Sequence, residues 1–332
     1  MRHCTTCVLP ETFPGISFDE EGVCSYCRAF RPPTPEEKRV HLDKFERIVE
    51  ERRSPSGFDC ILAYSGGKDS TYTLLQLTGR YGLKVIALTF DNGFMSEQAR
   101  INIRTVTDRL GSASLTVRPP FDLMRRTFAR AASKLFYSPK TLDRASSVCT
   151  TCIGMVKAVV LKTALAYRIP LVAYGWSPGQ APITSSIMQT GPRLQGISQK
   201  TVRDPLLKEV GDEIRPYFLD ERDLAVDASQ WPVNVHPLAF MDYDENDIVR
   251  EIQGIGWVKP RDTDPNSTNC LLNALANYLH RKRFSFHPYA WEIAGIVRSG
   301  CMDRSEGLAK VTEEENMEMV RYAAGLLGVP VE

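Results

Sequence analysis

Cys60-Ile61-Leu62-Ala63-Tyr64, followed without a break by Ser65-Gly66-Gly67-Lys68-Asp69-Ser70, reads as a buried strand that turns through a glycine-rich loop into a helix. Such a junction cradles anions. Two glycines let the backbone approach closely, and the first free amides of the helix point outward with the positive end of its dipole. Lys68 adds a point charge, Ser65 and Ser70 add hydroxyls, and Asp69 could hold a magnesium ion beside bound phosphates. The spacing is neither the Walker pattern nor the dinucleotide Gly-x-Gly-x-x-Gly.

Outward from this loop the chain alternates. Strands are expected at 59–64, 84–90, 113–117 and 170–174, with helices over 69–80, 96–110 and 153–168. That order predicts an α/β fold with a doubly wound parallel sheet, whose ligands gather at the carboxyl ends of the strands. Asp91-Asn92-Gly93-Phe94 follows the second strand and Gly175-Trp176-Ser177-Pro178-Gly179-Gln180 follows the last, so Asp91 and Gly175 are candidate nucleotide contacts beside the loop. Asn-Gly is also ordinary turn chemistry.

The loop resembles that of the PP-loop ATP pyrophosphatase superfamily, of the adenine nucleotide alpha hydrolase-like fold. The resemblance implies ATP as cofactor, adenylation of a carbonyl-type oxygen with release of pyrophosphate, and displacement of AMP by a sulfur or nitrogen nucleophile. Lys68 and Asp69 would then be catalytic, with Ser65, Gly66, Gly67 and Ser70 on the phosphates.

Six of the nine cysteines fall in Cys-x-x-Cys pairs. Cys4-Thr5-Thr6-Cys7 and Cys24-Ser25-Tyr26-Cys27 have zinc-ribbon spacing, and four thiolates close a structural Zn2+ site with no position left for substrate. Cys149-Thr150-Thr151-Cys152 opens the helix leading to the 170–174 strand. The helix dipole should lower both thiol pKa values there, suiting a metal cluster or a persulfide carrier. With Cys270, in Asn269-Cys270-Leu271, three thiolates could hold a [4Fe-4S] cluster with one iron open. Cys60 is expected to be buried, and Cys301 has no spacing that recruits it.

The nucleophile divides two resemblances. Cys4 to Thr12, Pro14-Gly15-Ile16, Phe18 to Cys24, Phe90 to Glu97, Asn102-Ile103 and Ser299-Gly300-Cys301-Met302-Asp303-Arg304-Ser305-Glu306-Gly307-Leu308 are similar to bacterial N-acetyl sugar amidotransferases, which implies ammonia from a separate glutaminase subunit. Cys149, Cys152 and Cys270 resemble the sulfur-inserting branch of tRNA and small-molecule thiolation enzymes, which implies a sulfur donor protein or sulfide. That branch's Gly-His-Asn-x-Asp-Asp segment is altered here to Gly175–Gln180. A nucleotide-binding scaffold without turnover is the third reading.

Length and composition set the frame. The 332 residues allow a zinc ribbon at 1–30, a linker helix at 31–56 begun by Thr34 and Pro35, an ATP-binding domain at 57–205 and a helical substrate region at 206–332. A formal charge of +1 favours a small-molecule substrate over tRNA. His280-Arg281-Lys282-Arg283 reads as a solvated helix end, and the 270–330 tail could supply a homodimer face. No stretch reads as a membrane span and no secretory signal is evident, so a cytoplasmic protein is expected. Between 181 and 265, Gln195, Lys200, Arg203, Asp204, His236 and Trp257 read as core or surface rather than ligands, His236 as a hydrogen-bonded structural histidine.

Overall fold

The computed structural model describes residues 1–54 and 57–331. Positions 55 and 56, at the expected end of the linker, and 332, at the end of the tail, lie outside the described residues. The sheet has six strands: β1 (Cys60–Ala63), β2 (Val85–Phe90), β3 (Ala113–Val117), β4 (Leu171–Tyr174), β5 (Ile187–Gln189) and β6 (Val233–Val235). Their order is β3-β2-β1-β4-β6-β5, with β5 alone antiparallel. The chain winds outward from β1 to β3 and returns to place β4 on the other side of β1. That reversal opens a crevice at the carboxyl ends of β1 and β4.

All six residues of β2 are buried, as expected of a strand covered on both faces, whereas β3 at the sheet edge alternates half-buried and exposed. One face is covered by helix Ser147–Tyr167 and its neighbour Phe121–Ser133, the other by Lys68–Leu75 and Glu97–Leu110. By length and composition Ser147–Tyr167 is apolar enough to cross a membrane, contrary to the sequence reading. It packs against the sheet, with Met155, Val160 and Ala164 in the core.

The linker helix runs Pro35–Glu51. Thr34 Oγ1 accepts from the Glu37 amide at 3.1 Å while the Glu37 carboxylate accepts from the Thr34 amide at 2.9 Å. The first expected helix is shorter than its pattern, ending at Leu75 and continuing as a π-helical turn Gln76–Arg80. β5 and β6 carry the sheet into the stretch read only as core or surface. Beyond them come helices Glu245–Gly254, Asn273–Phe284, Ala290–Arg298, Arg304–Thr312 and Met317–Leu327. The 280–283 run is not a solvated end. His280 is buried, Arg281 pairs with Glu315 at 3.0 Å, and Arg283 donates to the Ala132 carbonyl.

Candidate active site

The phosphate loop is fixed by its glycines and by contacts from distant sequence. Gly66 has φ +73°, and a Cβ there would lie 2.7 Å from the Ala99 carbonyl oxygen. Its own carbonyl accepts from Trp257 Nε1 at 2.9 Å, which gives that buried tryptophan its role. The Ser65 and Ser70 hydroxyls meet at 3.1 Å, and Gly67 caps the helix that starts at Lys68. Lys68 Nζ lies 3.3 Å from both Asp69 and Glu245 and 3.0 Å from the Tyr243 hydroxyl. Burial works to lower its pKa, and the two carboxylates more than offset that, so the ammonium stays charged.

Two cavities meet at the carboxyl ends of β1 and β4. The first, about 310 Å³, is lined by the Ser65–Ser70 loop with Tyr174, Gly175, Trp176 and Lys157. Gly175 must be glycine because a Cβ would sit 2.6 Å from the Ser70 amide nitrogen. Lys157 stands 4.3 Å over the Trp176 ring, which also meets Tyr174 at 5.2 Å and stacks on His236 at 4.5 Å. His236 is therefore held by stacking, with Nδ1 buried and unpartnered rather than hydrogen-bonded; burial pushes its pKa down to about 4 and keeps it neutral. The second cavity, about 200 Å³, brings Cys149, Cys152 and Cys270 together. Cys152, Gln180, Tyr289 and Glu292 line both.

The helix carrying the cysteine pair begins at Ser147, earlier than its periodicity suggested, and Ser146 caps it by accepting from the Cys149 amide at 3.1 Å. Burial overrides the helix dipole. It pushes the Cys149 thiol up, and Cys152 and Cys270 each up to about 12, opposite to the lowering expected from sequence. Asn92 Nδ2 at 3.5 Å from Cys152 Sγ and Asn273 Nδ2 at 3.9 Å from Cys149 Sγ are the amides that would favour thiolates. Three sulfurs converging on one cavity with N–H donors beside them fit a cluster's donor set. Among the described residues, they are not packed tightly enough for a single ion, since only Cys4, Cys7, Cys24 and Cys27 have ligand atoms all within 4.8 Å of one another.

Asp91 lines neither cavity. Its carboxylate caps its own turn, accepting from the Gly93 amide at 3.0 Å, and pairs with Arg100 at 3.4 Å and Arg118 at 3.6 Å. Its neighbour Asn92 is the residue that reaches the thiols.

Glu292 went unread in the sequence, although a lone carboxylate inside Ala290-Trp291-Glu292-Ile293-Ala294 is a signal. It accepts from Ser177 Oγ at 2.7 Å, and burial pushes its pKa up to about 7 against that hydrogen bond. A backbone crossing fixes it. A Cβ on Gly179 would lie 2.0 Å from the Glu292 carbonyl oxygen, and one on Gly295 would lie 2.7 Å from Gly179 Cα. Gly179→Ala should therefore cost about 3 kcal/mol or more, read as a lowered denaturant midpoint, whereas Gly254→Ala, with open space around it, should cost nothing.

The N-terminal cysteines form a closed site. Cys4 Sγ lies 3.7 Å from Cys27 Sγ and Cys7 Sγ 3.8 Å from Cys24 Sγ, and the amides of Thr6, Cys7 and Cys24 donate to Cys4 Sγ. The Arg304 guanidinium donates to the Cys4 and Cys7 carbonyls, and Phe13 packs with Phe286, Ala290 and Ile293. The ribbon thereby braces the helix that carries Glu292.

No family model matches the sequence. Uncharacterized protein MJ1599 of Methanocaldococcus jannaschii is 28% identical over 304 residues, covering 91% of this chain and 90% of its own. Among solved structures, the U34-tRNA thiolase NcsA from Methanococcus maripaludis with its [4Fe-4S] cluster is similar over 100% of this chain and 90% of its own, at 14% identity and a TM-score of 0.38. NMN synthetase from Francisella tularensis is similar over 80% of this chain and 96% of its own, at 11% identity and a TM-score of 0.31. The doubly wound sheet with its Cys4 N-terminus is the architecture expected from sequence.

Proposed function

We propose that this chain is an ATP-dependent adenylating enzyme that inserts sulfur into an amide-bearing small molecule. The observation that carries the reading is the shared wall: the phosphate-loop cavity and the three-thiol cavity both use Cys152, Gln180, Tyr289 and Glu292. A nucleotide on Ser65–Ser70 would thus place its α-phosphorus next to both the acceptor and the sulfur source.

In the first step the acceptor's amide oxygen bonds to the α-phosphorus and the α–β bridge breaks, releasing pyrophosphate. Amides of the loop and Lys68 offset charge on the leaving group, with Asp69 available to magnesium. Glu292 takes the acceptor's N–H proton as that oxygen is adenylated, since it is the carboxylate facing the thiol cavity. In the second step hydrosulfide adds to the activated carbon, the carbon–oxygen bond to AMP breaks, and the sulfur's proton returns to nitrogen, leaving a thioamide. Cys149, Cys152 and Cys270 would hold a [4Fe-4S] cluster, whose open iron supplies a binding place for that sulfide. A sulfur donor protein or free sulfide is the expected source, and the compartment is the cytoplasm.

The test follows radiolabelled ATP to AMP in the presence of a protein-free metabolite extract or, separately, bulk tRNA, with sulfide or ammonium supplied. AMP formation that needs the extract and sulfide supports the proposal; dependence on ammonium instead of sulfide replaces it with amidation. Glu292→Gln should lower AMP formation about 100-fold at pH 7.5 while ATP still binds. Wild-type turnover should fall as pH drops through about 7, where Glu292 takes up a proton, and the glutamine variant should lose that limb. The folded-state pKa is raised, so the carboxylate costs stability as pH rises through it, and Glu292→Gln should be the more stable form at pH 8.

A further inference from the structure

Lys68, at the start of the phosphate loop's helix, is already engaged by residues remote in sequence. The Lys68 amide, first of the helix, donates to Thr268 Oγ1 at 3.1 Å. A Cβ on Gly67 would lie 2.7 Å from the same hydroxyl, so Thr268 sits directly on the loop. The segment bearing it is strapped at its far end to the residues after β2. The Ser96 amide donates to the Asn269 carbonyl at 2.9 Å, the Leu271 amide donates to the Phe94 carbonyl at 2.9 Å, and Met95 and Cys270 form an antiparallel bridge. Its near end is stiff as well, with the Ser267 amide on the Asp264 carbonyl at 2.8 Å and the Cys270 amide on Ser267 Oγ at 3.4 Å.

We propose that Thr268 is a built-in occupant of the phosphate site, and that a nucleotide or pyrophosphate, by displacing its hydroxyl, loosens the 266–271 strap and releases Cys270 from its place beside Met95. This rests on the reading that phosphates bind at Ser65–Ser70. The geometry requires an exchange: an oxyanion cannot accept from the Lys68 amide while a hydroxyl occupies that position at 3.1 Å. Only Asn269 separates Thr268 from Cys270, so a shift of the hydroxyl is carried along the backbone to the thiol. Thr268 is then a positioning residue. It makes the three-thiol site respond to whether the nucleotide is in place, which confines sulfur chemistry to an enzyme already loaded with ATP.

The experiment is amide hydrogen exchange on the full chain with magnesium alone, with magnesium pyrophosphate, and with α,β-methylene ATP, for wild type, Thr268→Ala and Thr268→Ser. Either ligand should speed exchange at Ser96 and Leu271 at least tenfold in wild type, leaving amides of helix Ser147–Tyr167 unchanged. Thr268→Ala should show the faster exchange without ligand and bind pyrophosphate about fivefold to tenfold more tightly, because one competing hydrogen bond is gone. Thr268→Ser should restore wild-type behaviour. Bound pyrophosphate with unchanged exchange at both amides overturns the proposal and leaves the adenylation reading standing. Failure of either ligand to bind overturns the adenylation reading; the strap is then judged by Thr268→Ala alone, whose unchanged exchange would overturn it too.

Discussion

Cys149→Ala is expected to purify anaerobically with its zinc but without iron, and to lose product formation at least a hundredfold while still binding ATP. The physical reason lies in the separation of the two metal-type sites. The four N-terminal sulfurs lie within 4.8 Å of one another, Arg304 donates to the Cys4 and Cys7 carbonyls, and none of these cysteines lines the cavity of Cys149, Cys152 and Cys270. Removing one of the three thiolates leaves two ligands for a cluster that needs three, so the loss should be complete rather than graded. The wild type should carry about four irons and one zinc per chain. Cys301→Ala is the matched control, because its sulfur donates to the Ser299 carbonyl at 3.7 Å, packs beside Leu238 and Ile248, and lines neither cavity. Zinc alone in the wild type, with full activity in Cys149→Ala, would sink sulfur insertion and leave ammonia from a glutaminase partner as the nucleophile.

The parts of this site that could be read in advance are those in which a local pattern suffices. Strand β1, the loop after it and the glycines at 66, 67 and 175 are each encoded within a few residues, because the chemistry of close approach demands small side chains in a row. β5 and β6 are three residues each, too short for a period to register; β6 is a strand because β4 offers it an edge, and β5 because β6 does. The same limit hid Tyr243, Glu245, Thr268 and Glu292. Each reaches the site from the C-terminal region through tertiary packing, and of the four only Glu292, a lone carboxylate in an apolar run, carries a local signal. The reversed thiol pKa has a similar origin. A helix start is visible in sequence, but the burial that outweighs its dipole depends on Phe128, Leu272 and the other walls that fold around it. Asp91 shows the converse, a strand-end carboxylate spent on Arg100 and Arg118.

The second large effect is expected from the ribbon. Cys24→Ser should abolish zinc binding, cost roughly 3–5 kcal/mol of stability, and expose residues 1–30 to limited proteolysis. The size follows from how little else holds this segment. Its buried apolar side chains are Val8, Leu9, Pro10 and Phe13, and Cys4, Cys7 and Cys24 fill much of the remaining interior. Four sulfurs within 4.8 Å of one another are stabilised by a shared cation and repel one another as thiolates without it. The effect should also travel. Phe13 and Cys24 share a cluster with Ala290, Ile293 and Ala294 on the helix that delivers Glu292 to the shared wall, and Trp291 stacks on Phe13 at 5.7 Å. Loosening that face should move the Glu292 carboxylate away from Ser177, so AMP formation should fall more steeply than ATP affinity. Measuring zinc content, the denaturant midpoint, ATP affinity and AMP formation on one preparation separates the outcomes. Zinc loss with unchanged AMP formation would mean that the ribbon does not brace the helix. Parallel loss of all four would mean global unfolding, and a fall in turnover with ATP binding intact would place the ribbon's influence on Glu292.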